Sequence, residues 1–580
     1  MTSFLRQYFG RALVLRLLPI SLCLAFSVLM LSSASVTLLQ SDFIDPYVYT
    51  AYINDYFGTY QRFGQTYYSS RVAFIFVDAA FIKLFGQTAG PFLCRIALLT
   101  LAAFSALQIA RRFFGLKAGI VIISWLCLIP WLLRSISWMY CDGFATVYTI
   151  IGLAFLLTPT QRRKSGHFAA GLTFSFAANC NLHLLVVIGA FVPSWFLLNY
   201  HDLLRTKLLL IASALLGFLV GYAILQAAFS ATIGSYSTFL EAASIGTANS
   251  LLGGAAAAWF KPMSQIINEG LLIFLIPMIF AVTGAYVLMI HARSLRDSQR
   301  RFAGAAVLYV CVMLAATFIF HYIFKHGLVS LFFYEVYFLP SCVLVLIFVA
   351  GIASAQFPRH IMLATGLTCS LLIALWLARD RIDVQLPFSG WAWLVGWITF
   401  CVGALALSRI KASSLTAPVA LVMLCVTTYG IVQWQPGTAY HYAIWPNRGT
   451  QGATERGVYQ GAIFLQKFVN THVPAQAPIG FWYGDKPSDH TLNAVQSIFL
   501  WGYTRLHSYR GLAMPEIDPA FRERVGKKEY VALIARSEGE IDAGLAALRT
   551  LPAHPTSVVR AHFADAAEGY YIALAKVRAP

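Results

Sequence analysis

Residues 41–71 read SDFIDPYVYTAYINDYFGTYQRFGQTYYSSR and separate the first apolar segment from the next segment that is long enough to cross a membrane. This first loop carries three acids and two arginines among many tyrosine and phenylalanine rings. Charged groups beside aromatic rings at a membrane surface cost desolvation free energy unless they bind something or react with it. We therefore interpret the first loop as the candidate functional site.

The composition indicates whether the chain folds in water or in a membrane. Of the 580 residues, 59% are hydrophobic and only 11% are charged, whereas roughly 25% charged residues is typical of a soluble domain. The ten cysteines have neither the pattern of a disulfide framework nor the spacing of zinc ligands, and we interpret them as core residues. The composition excludes an ordinary soluble protein and indicates a polytopic membrane protein.

Apolar runs of about 20 residues, the length of a helix that crosses about 30 Å of hydrocarbon, recur along the chain. One run, Phe168–Leu198, contains a polar break at Asn179–His183 and therefore predicts two short helices. In total we predict thirteen transmembrane helices. They lie within Leu15–Leu39, Pro91–Phe114, Ala118–Leu133, Gly143–Leu157, Phe168–Leu198, Leu208–Phe229, Leu271–Ile290, Phe302–Phe320, Tyr334–Ala353, Ile361–Leu377, Trp391–Leu407 and Ala417–Trp434.

Basic residues are distributed unevenly among the loops. If the N-terminus is cytoplasmic, the inside loops carry 18 basic and 2 acidic residues, whereas the remaining membrane part up to residue 434 carries 9 and 10. This is the positive-inside pattern of membrane proteins. It accounts for most of the net charge of +18 and leaves no basic surface that would indicate nucleic-acid binding. An odd number of spans places the tail, residues 435–580, outside.

Two segments of the outer loop over residues 40–90 predict helices that do not cross the membrane. Val72–Phe85 is too short for a span and contains Asp78 and Lys83, so it predicts an amphipathic helix in the outer interface. Asp45–Phe57 predicts a second such helix, in which Asp45 and Pro46 occupy the N-cap and the first turn.

The tail alternates helical and strand patterns. It predicts helices over Glu455–Asn470, Leu492–Leu506 and Glu540–Arg549, and strands over Pro478–Tyr483, Tyr530–Arg536, Ser557–Phe563 and Tyr570–Val577. These elements indicate a mixed sheet, without a nucleotide-binding glycine motif. The predicted fold class is thus an all-α polytopic membrane domain over residues 1–434 with a C-terminal extracytoplasmic α/β domain over residues 435–580.

This architecture resembles the GT-C superfamily of polyprenyl-phosphate-sugar glycosyltransferases, and within it the lipid A aminoarabinose transferases and protein O-mannosyltransferases. In those families an Asp-Glu pair is followed by a tyrosine, and then by a tyrosine and a basic residue before an apolar stretch that ends in Leu-Phe-Gly. The matching residues lie within about 45 positions and follow in the same order: Asp45, Tyr49, Tyr68, Arg71 and Leu84-Phe85-Gly86. Pro46 stands in place of the second acid, and Ser70-Arg71-Val72 in place of Lys-Pro-Pro.

The resemblance implies a transfer in which an acceptor hydroxyl attacks the anomeric carbon of the sugar and a polyprenyl phosphate leaves. Such a site needs a carboxylate that takes the proton and cations that hold the phosphate. We expect Asp45 to be the base, with Asp42 as the second candidate; the alternative is that both are solvated loop acids or helix caps. Asp142, which opens the fourth span, is either a third functional acid or an ordinary N-cap.

The candidate phosphate ligands are the basic residues that the predicted topology places at the outer face. Each has an alternative as a side chain that anchors a helix end near lipid headgroups. His321–His326 is the densest group. The candidates are Arg71, Lys83, Lys261, His321, Lys325, His326, Arg379 and Arg381.

The resemblance implies no cofactor, and we expect no metal. The implied partners are a polyprenyl-phosphate-linked sugar donor, a lipid, glycan or protein acceptor, and membrane lipid, with no nucleic acid. The implied location is the cytoplasmic (inner) membrane, with the tail on the periplasmic or extracellular side. A transporter or flippase, and an O-antigen polymerase or ligase, are the alternative functions. An internal repeat would favour a transporter or flippase, and a large outer loop late in the membrane domain would favour a polymerase or ligase. The sequence contains neither feature.

Overall fold

The structure is a computed structural model, and it describes part of the chain. Within that part, a mostly helical region precedes a four-stranded sheet. The described residues are 19–25, 27–28, 45–63, 68–127, 132, 135–136, 140–157, 163–233, 295–319, 337–356, parts of 461–483, 530–550, 554–564 and 569–577.

The first loop forms two short helices, α1 (Asp45–Asn54) and α2 (Tyr56–Phe63). The sequence predicts one helix over Asp45–Phe57, but the chain breaks at Asp55, whose Oδ1 accepts a hydrogen bond from the Gly58 amide at 3.1 Å. An aspartate that caps the following turn satisfies an amide that the start of a helix leaves without a backbone partner. The predicted helix in this segment is confirmed, the predicted continuity to Phe57 is wrong, and the role of Asp45 as N-cap stays a prediction.

Helix α3 (Val72–Phe114) is a hairpin of two arms rather than one straight helix. Gly86 interrupts it with φ of 82°, a conformation that only glycine adopts readily, which gives the Leu-Phe-Gly motif its physical reason. The first arm, α3a, covers residues 72–85, and the second, α3b, covers Ala89–Phe114. At Gly90 a Cβ atom would lie 2.7 Å from the Ile82 Cα, so the arms pack too closely there for a larger residue.

The remaining described helices follow the predicted spans. Helices α6 and α7 confirm that Phe168–Leu198 divides into two helices around residues 181–183. The bounds are α4 (Leu116–Cys127), α5 (Cys141–Leu157), α6 (Arg163–Cys180), α7 (Leu184–Leu198), α8 (Leu204–Ile233), α9 (Asp297–Phe318) and α10 (Leu339–Gln356). By length and apolar composition, α3b, α8 and α9 are long enough to cross a membrane, among the described residues.

Four predicted spans lie outside the described residues, so the number of thirteen stays a prediction. They are Leu271–Ile290, Ile361–Leu377, Trp391–Leu407 and Ala417–Trp434.

One end of the helical region gathers residues from loops that the charge pattern assigns to the cytoplasm. The Arg296 guanidinium donates to the Phe113 carbonyl at 3.1 Å. Both acids of those loops pair with basic residues: Asp202 with Arg163 at 2.7 Å, and Asp297 with Arg301 at 3.2 Å. The Arg301 guanidinium also lies 5.7 Å from the centroid of the Tyr200 ring, so the predicted inside loops that the structure describes meet at one end of the helices.

The tail forms a mixed sheet in the order β1-β2-β4-β3. The strands are β1 (Ile479–Tyr483), β2 (Tyr530–Ala535), β3 (Pro555–Phe563) and β4 (Tyr570–Val577), and α11 (Glu538–Arg549) follows β2. Strand β1 pairs with β2 in parallel, whereas β4 is antiparallel to both of its neighbours. The predicted mixed sheet is confirmed, and the domain boundary at residue 435 stays a prediction.

Candidate active site

Arg71 lies at the start of α3a, and the backbone on both sides of it is fixed by one side chain. The Asn179 amide donates to the Ser70 carbonyl at 3.2 Å, and its Oδ1 accepts from the Ala73 amide at 2.8 Å. The Tyr56 hydroxyl donates to the Ser69 carbonyl. Helices α2 and α6 thus hold the turn before α3a from two directions.

The Arg71 side chain is only 2% exposed. Its guanidinium lies 5.5 Å from the Tyr49 ring centroid and 5.7 Å from that of Tyr140, and it donates to the Cys141 thiol. The Tyr49 ring, itself fully buried, contacts Tyr140 edge-on at 5.5 Å. We call this set, Arg71 with Tyr49, Tyr140, Cys141 and Asp142, the arginine cage.

The guanidinium in the arginine cage stays charged despite its burial. Desolvation lowers the pKa of Arg71, but Cys141, Tyr49, Tyr140 and Asp142 raise it, and the net pKa lies well above the ordinary value. Asp142 is the one carboxylic acid among these four neighbours, and the cage holds a permanent cation.

Asp142 is 4% exposed and belongs to a hydrogen-bond chain that reaches a distant helix. The Asn181 amide donates to Asp142 Oδ1 at 2.8 Å and to the Tyr337 hydroxyl at 2.7 Å. His183 Nδ1 lies 3.1 Å from the same hydroxyl. The break between α6 and α7 thus connects the arginine cage to the residues just before α10.

His183 lies in this break, outside the helices that flank it. Burial, together with the charge of Arg71, lowers the pKa of His183 to about 4. The Tyr337 oxygen accepts from Asn181 and lies within hydrogen-bonding distance of the His183 Nδ1. With a pKa of about 4, His183 is uncharged at neutral pH.

The structure brings some of the sequence-predicted residues together and leaves others apart. Arg71 and Asp142 share the arginine cage, and Asp45 opens α1, the helix that carries Tyr49. Lys83 is exposed, twelve positions further along α3a and hence about 18 Å from Arg71.

The other predicted site residues lie outside the described part of the chain. They are Asp42, Lys261, His321, Lys325, His326, Arg379 and Arg381, together with the side chain of Asp45.

Sequence reasoning did not assign Cys141, Asn179 or Tyr337 to the site. Asn179 and Asn181 stand out as a polar break in an apolar run, which is a usable signal. Tyr337 has no such signal, because its partner Asn181 is 156 positions away in the chain. Within the described residues, which exclude Asp42 and the Asp45 side chain, no group of three or more metal-ligating side chains is present.

Comparison with known proteins gives one informative result. Neither a protein-family model nor a curated protein matches the sequence. Among solved structures, ArnT from Cupriavidus metallidurans bound to undecaprenyl phosphate is similar at a TM-score of 0.53 and 14% identity, over 96% of this chain and 97% of that one.

The archaeal oligosaccharyltransferase AglB from Archaeoglobus fulgidus, in complex with an inhibitory peptide and a dolichol-phosphate, gives a TM-score of 0.41 at 12% identity, over 93% of this chain and 71% of that one.

The ArnT comparison covers nearly the whole of both chains, and at 14% identity it establishes the fold alone. ArnT is a lipid A aminoarabinose transferase of the GT-C superfamily. The fold that the first-loop motif implies is therefore confirmed.

Proposed function

We propose that the protein is an integral-membrane glycosyltransferase that moves a sugar from a polyprenyl-phosphate donor to a hydroxyl of a lipid, glycan or protein acceptor at the outer face of the cytoplasmic membrane. The observation that carries this proposal is the arginine cage in an ArnT-like fold. A buried, permanently charged guanidinium lies between residues of the first loop and the start of α5. It is a preorganised partner for a phosphate group.

The proposed reaction requires little of the protein beyond two charges in the right positions. The acceptor oxygen bonds to the anomeric carbon, the bond between that carbon and the phosphate oxygen breaks, and the polyprenyl phosphate leaves with the electron pair. The acceptor proton passes to a carboxylate, for which Asp45 is the first candidate and Asp42 the second. A guanidinium near the phosphate stabilises its charge through bidentate hydrogen bonds.

Asp142 has a different role in this proposal. It balances Arg71 in the donor-free protein, and Asn181 fixes one of its oxygens. A donor phosphate beside Arg71 would compete with Asp142 for the same cation. Since ArnT was solved with undecaprenyl phosphate, a polyprenyl phosphate is the donor carrier that we propose for this chain.

The test is sugar transfer by the purified protein in liposomes that contain a polyprenyl-phosphate sugar. We expect transfer that persists in EDTA, and we expect Arg71→Lys to raise the donor KM by about 10-fold or more, because lysine keeps the charge but loses the planar pair of donors. Arg301→Lys, at the opposite end of the helices, is the matched control and should leave KM unchanged. Absence of transfer by the wild type would contradict the proposed function, and a requirement for manganese would contradict the expectation that no metal takes part.

A further inference from the structure

The first arm of the α3 hairpin contains a charged residue that the candidate active site does not use. Asp78 is completely buried and pairs with Arg95 on α3b, with 2.5 Å between Oδ1 and Nη1 and no exposure of either side chain. The Arg95 guanidinium also lies 5.5 Å from the centroid of the Phe144 ring. The pair joins α3a, α3b and α5 at one point.

A buried ion pair is a poor source of net stability, because desolvation of the two charges offsets most of their attraction. Its effect is on specificity: a helix that slides or rotates by one residue separates the charges and leaves both uncompensated in an apolar core. Around Asp78, α3a otherwise presents apolar side chains, whose contacts are non-directional and therefore fix the register less strictly than a pair of charges does. The ion pair therefore selects one register of α3a on α3b.

That register determines where Arg71 lies. Asp78 is seven positions, or about two turns and 10 Å, after Arg71 on the same helical arm. The Gly90 contact prevents the two arms from separating without loss of packing, and the Gly86 turn fixes the other end of α3a. Any slide of α3a would move Arg71 away from Tyr49 and Cys141 by the same distance.

We propose that Asp78 and Arg95 are a positioning pair, whose buried contact fixes the register of α3a and thereby holds Arg71 in the arginine cage against the donor phosphate. The role of the pair in donor binding rests on the proposed function. The role of the pair in the register of α3a does not depend on the proposed function. Neither residue touches the reacting atoms, so neither is a catalytic residue.

The first experiment measures the register without any enzyme assay. In the native chain the Cys141 thiol is buried against Arg71, and we expect it to react slowly with a membrane-impermeant maleimide. In the double variant Asp78→Asn/Arg95→Gln, which removes the ion pair and leaves no uncompensated charge, we expect labelling of Cys141 to be about 10-fold faster, measured by peptide mass spectrometry. The matched control is Ser105→Ala, a buried polar residue on α3b. Labelling as slow as in the wild type would overturn the proposal.

The second experiment separates positioning from stability. The single variant Asp78→Asn leaves a buried charge and should lower both Tm and donor affinity, whereas the double variant should recover most of the Tm and keep a donor KM raised by about 10-fold. In an Arg71→Lys background, Asp78→Asn should change KM by less than about 2-fold, because both substitutions act through one group.

Two results would overturn the proposal. One is a donor KM of the double variant that returns to normal together with its Tm, and the other is an effect of Asp78→Asn on KM that is as large in the Arg71→Lys background as in the wild type. If the wild type transfers no sugar, the proposed function fails and the labelling result alone decides the register claim.

Discussion

His183 is the residue through which pH acts on the candidate site. Its native pKa is about 4 because of burial and Arg71, whereas an unfolded histidine titrates near 6.5. As pH falls, the unfolded chain takes up the proton first, so this contribution to stability is complete above about pH 6.5 and is lost as pH falls to about 4. We expect a loss of about 2–3 kcal/mol across that window.

The measurement is the Tm of the purified protein between pH 7 and pH 4. His183→Asn keeps a short side-chain acceptor and removes the titration, so its Tm should depend less on pH than that of the wild type. Equal slopes for the two proteins would show that His183 does not titrate in this way.

At the same scale, the sequence predicts the types of residues in the site better than their partners. Arg71 and Asp142 can be recognised as site candidates from the sequence because charged residues are rare in this chain. Arg95 cannot be recognised in this way, because it lies inside the apolar run Pro91–Phe114 and no local pattern indicates that Asp78 pairs with it. The two residues meet only because the chain turns at Gly86, and a local sequence pattern does not show which residues such a turn brings together.

At the scale of elements, α6 and α8 pack through glycines. A Cβ at Gly217 would lie 2.0 Å from the Phe168 carbonyl oxygen, and one at Gly171 would lie 1.8 Å from that of Ala214. Small residues at such positions let helix backbones approach in a membrane, where van der Waals packing drives association. We therefore expect Gly217→Ala to lower the free energy of unfolding by about 1–3 kcal/mol.

The matched control is Gly189→Ala on α7, where an added Cβ meets nothing within 4 Å. Since alanine favours a helix over glycine by about 1 kcal/mol, this control should be neutral or stabilising. The Tm in detergent should fall for Gly217→Ala and should stay the same or rise for Gly189→Ala. A Gly217→Ala protein as stable as the control would mean that the backbones of α6 and α8 are not in close contact at this position.

Of two breaks between helices, the sequence predicts one and not the other. Hydropathy and the polar residues Asn179–His183 predict the break between α6 and α7, because a broken apolar run is a local signal. The break between α1 and α2 is not predicted, because Asp55 reads equally well as a helix residue and as a cap until its contact with Gly58 is known.

At the scale of the whole molecule, charge assigns the topology. The described loops that are predicted to be cytoplasmic meet at one end, and the arginine cage lies among residues predicted to be at the other. We expect a reporter fused after Arg112 to be inside and one fused after Trp434 to be outside, because of the 18-to-2 excess of basic residues in the inside loops. A cytoplasmic tail would contradict the thirteen-span topology.

The overall fold is predicted well because membrane insertion depends on length, hydropathy and charge, all of which the sequence carries directly. The mixed sheet of the tail is predicted because its apolar runs are rich in β-branched and aromatic residues. Four of the predicted spans lie outside the described residues, so the number of spans stays a prediction.

The central claim, that the first loop is the reaction centre of a sugar transferase, is tested most directly by turnover of Asp45→Asn with a polyprenyl-phosphate sugar. Asparagine keeps the size and most of the hydrogen bonding of aspartate but cannot take the acceptor proton, so turnover should fall by about 10²–10⁴-fold while donor binding persists. Asp55→Asn, in the same loop, keeps the oxygen that caps α2 and should transfer normally. A larger loss in Asp42→Asn would assign the base to Asp42, and normal turnover in both Asp45→Asn and Asp42→Asn would contradict the claim.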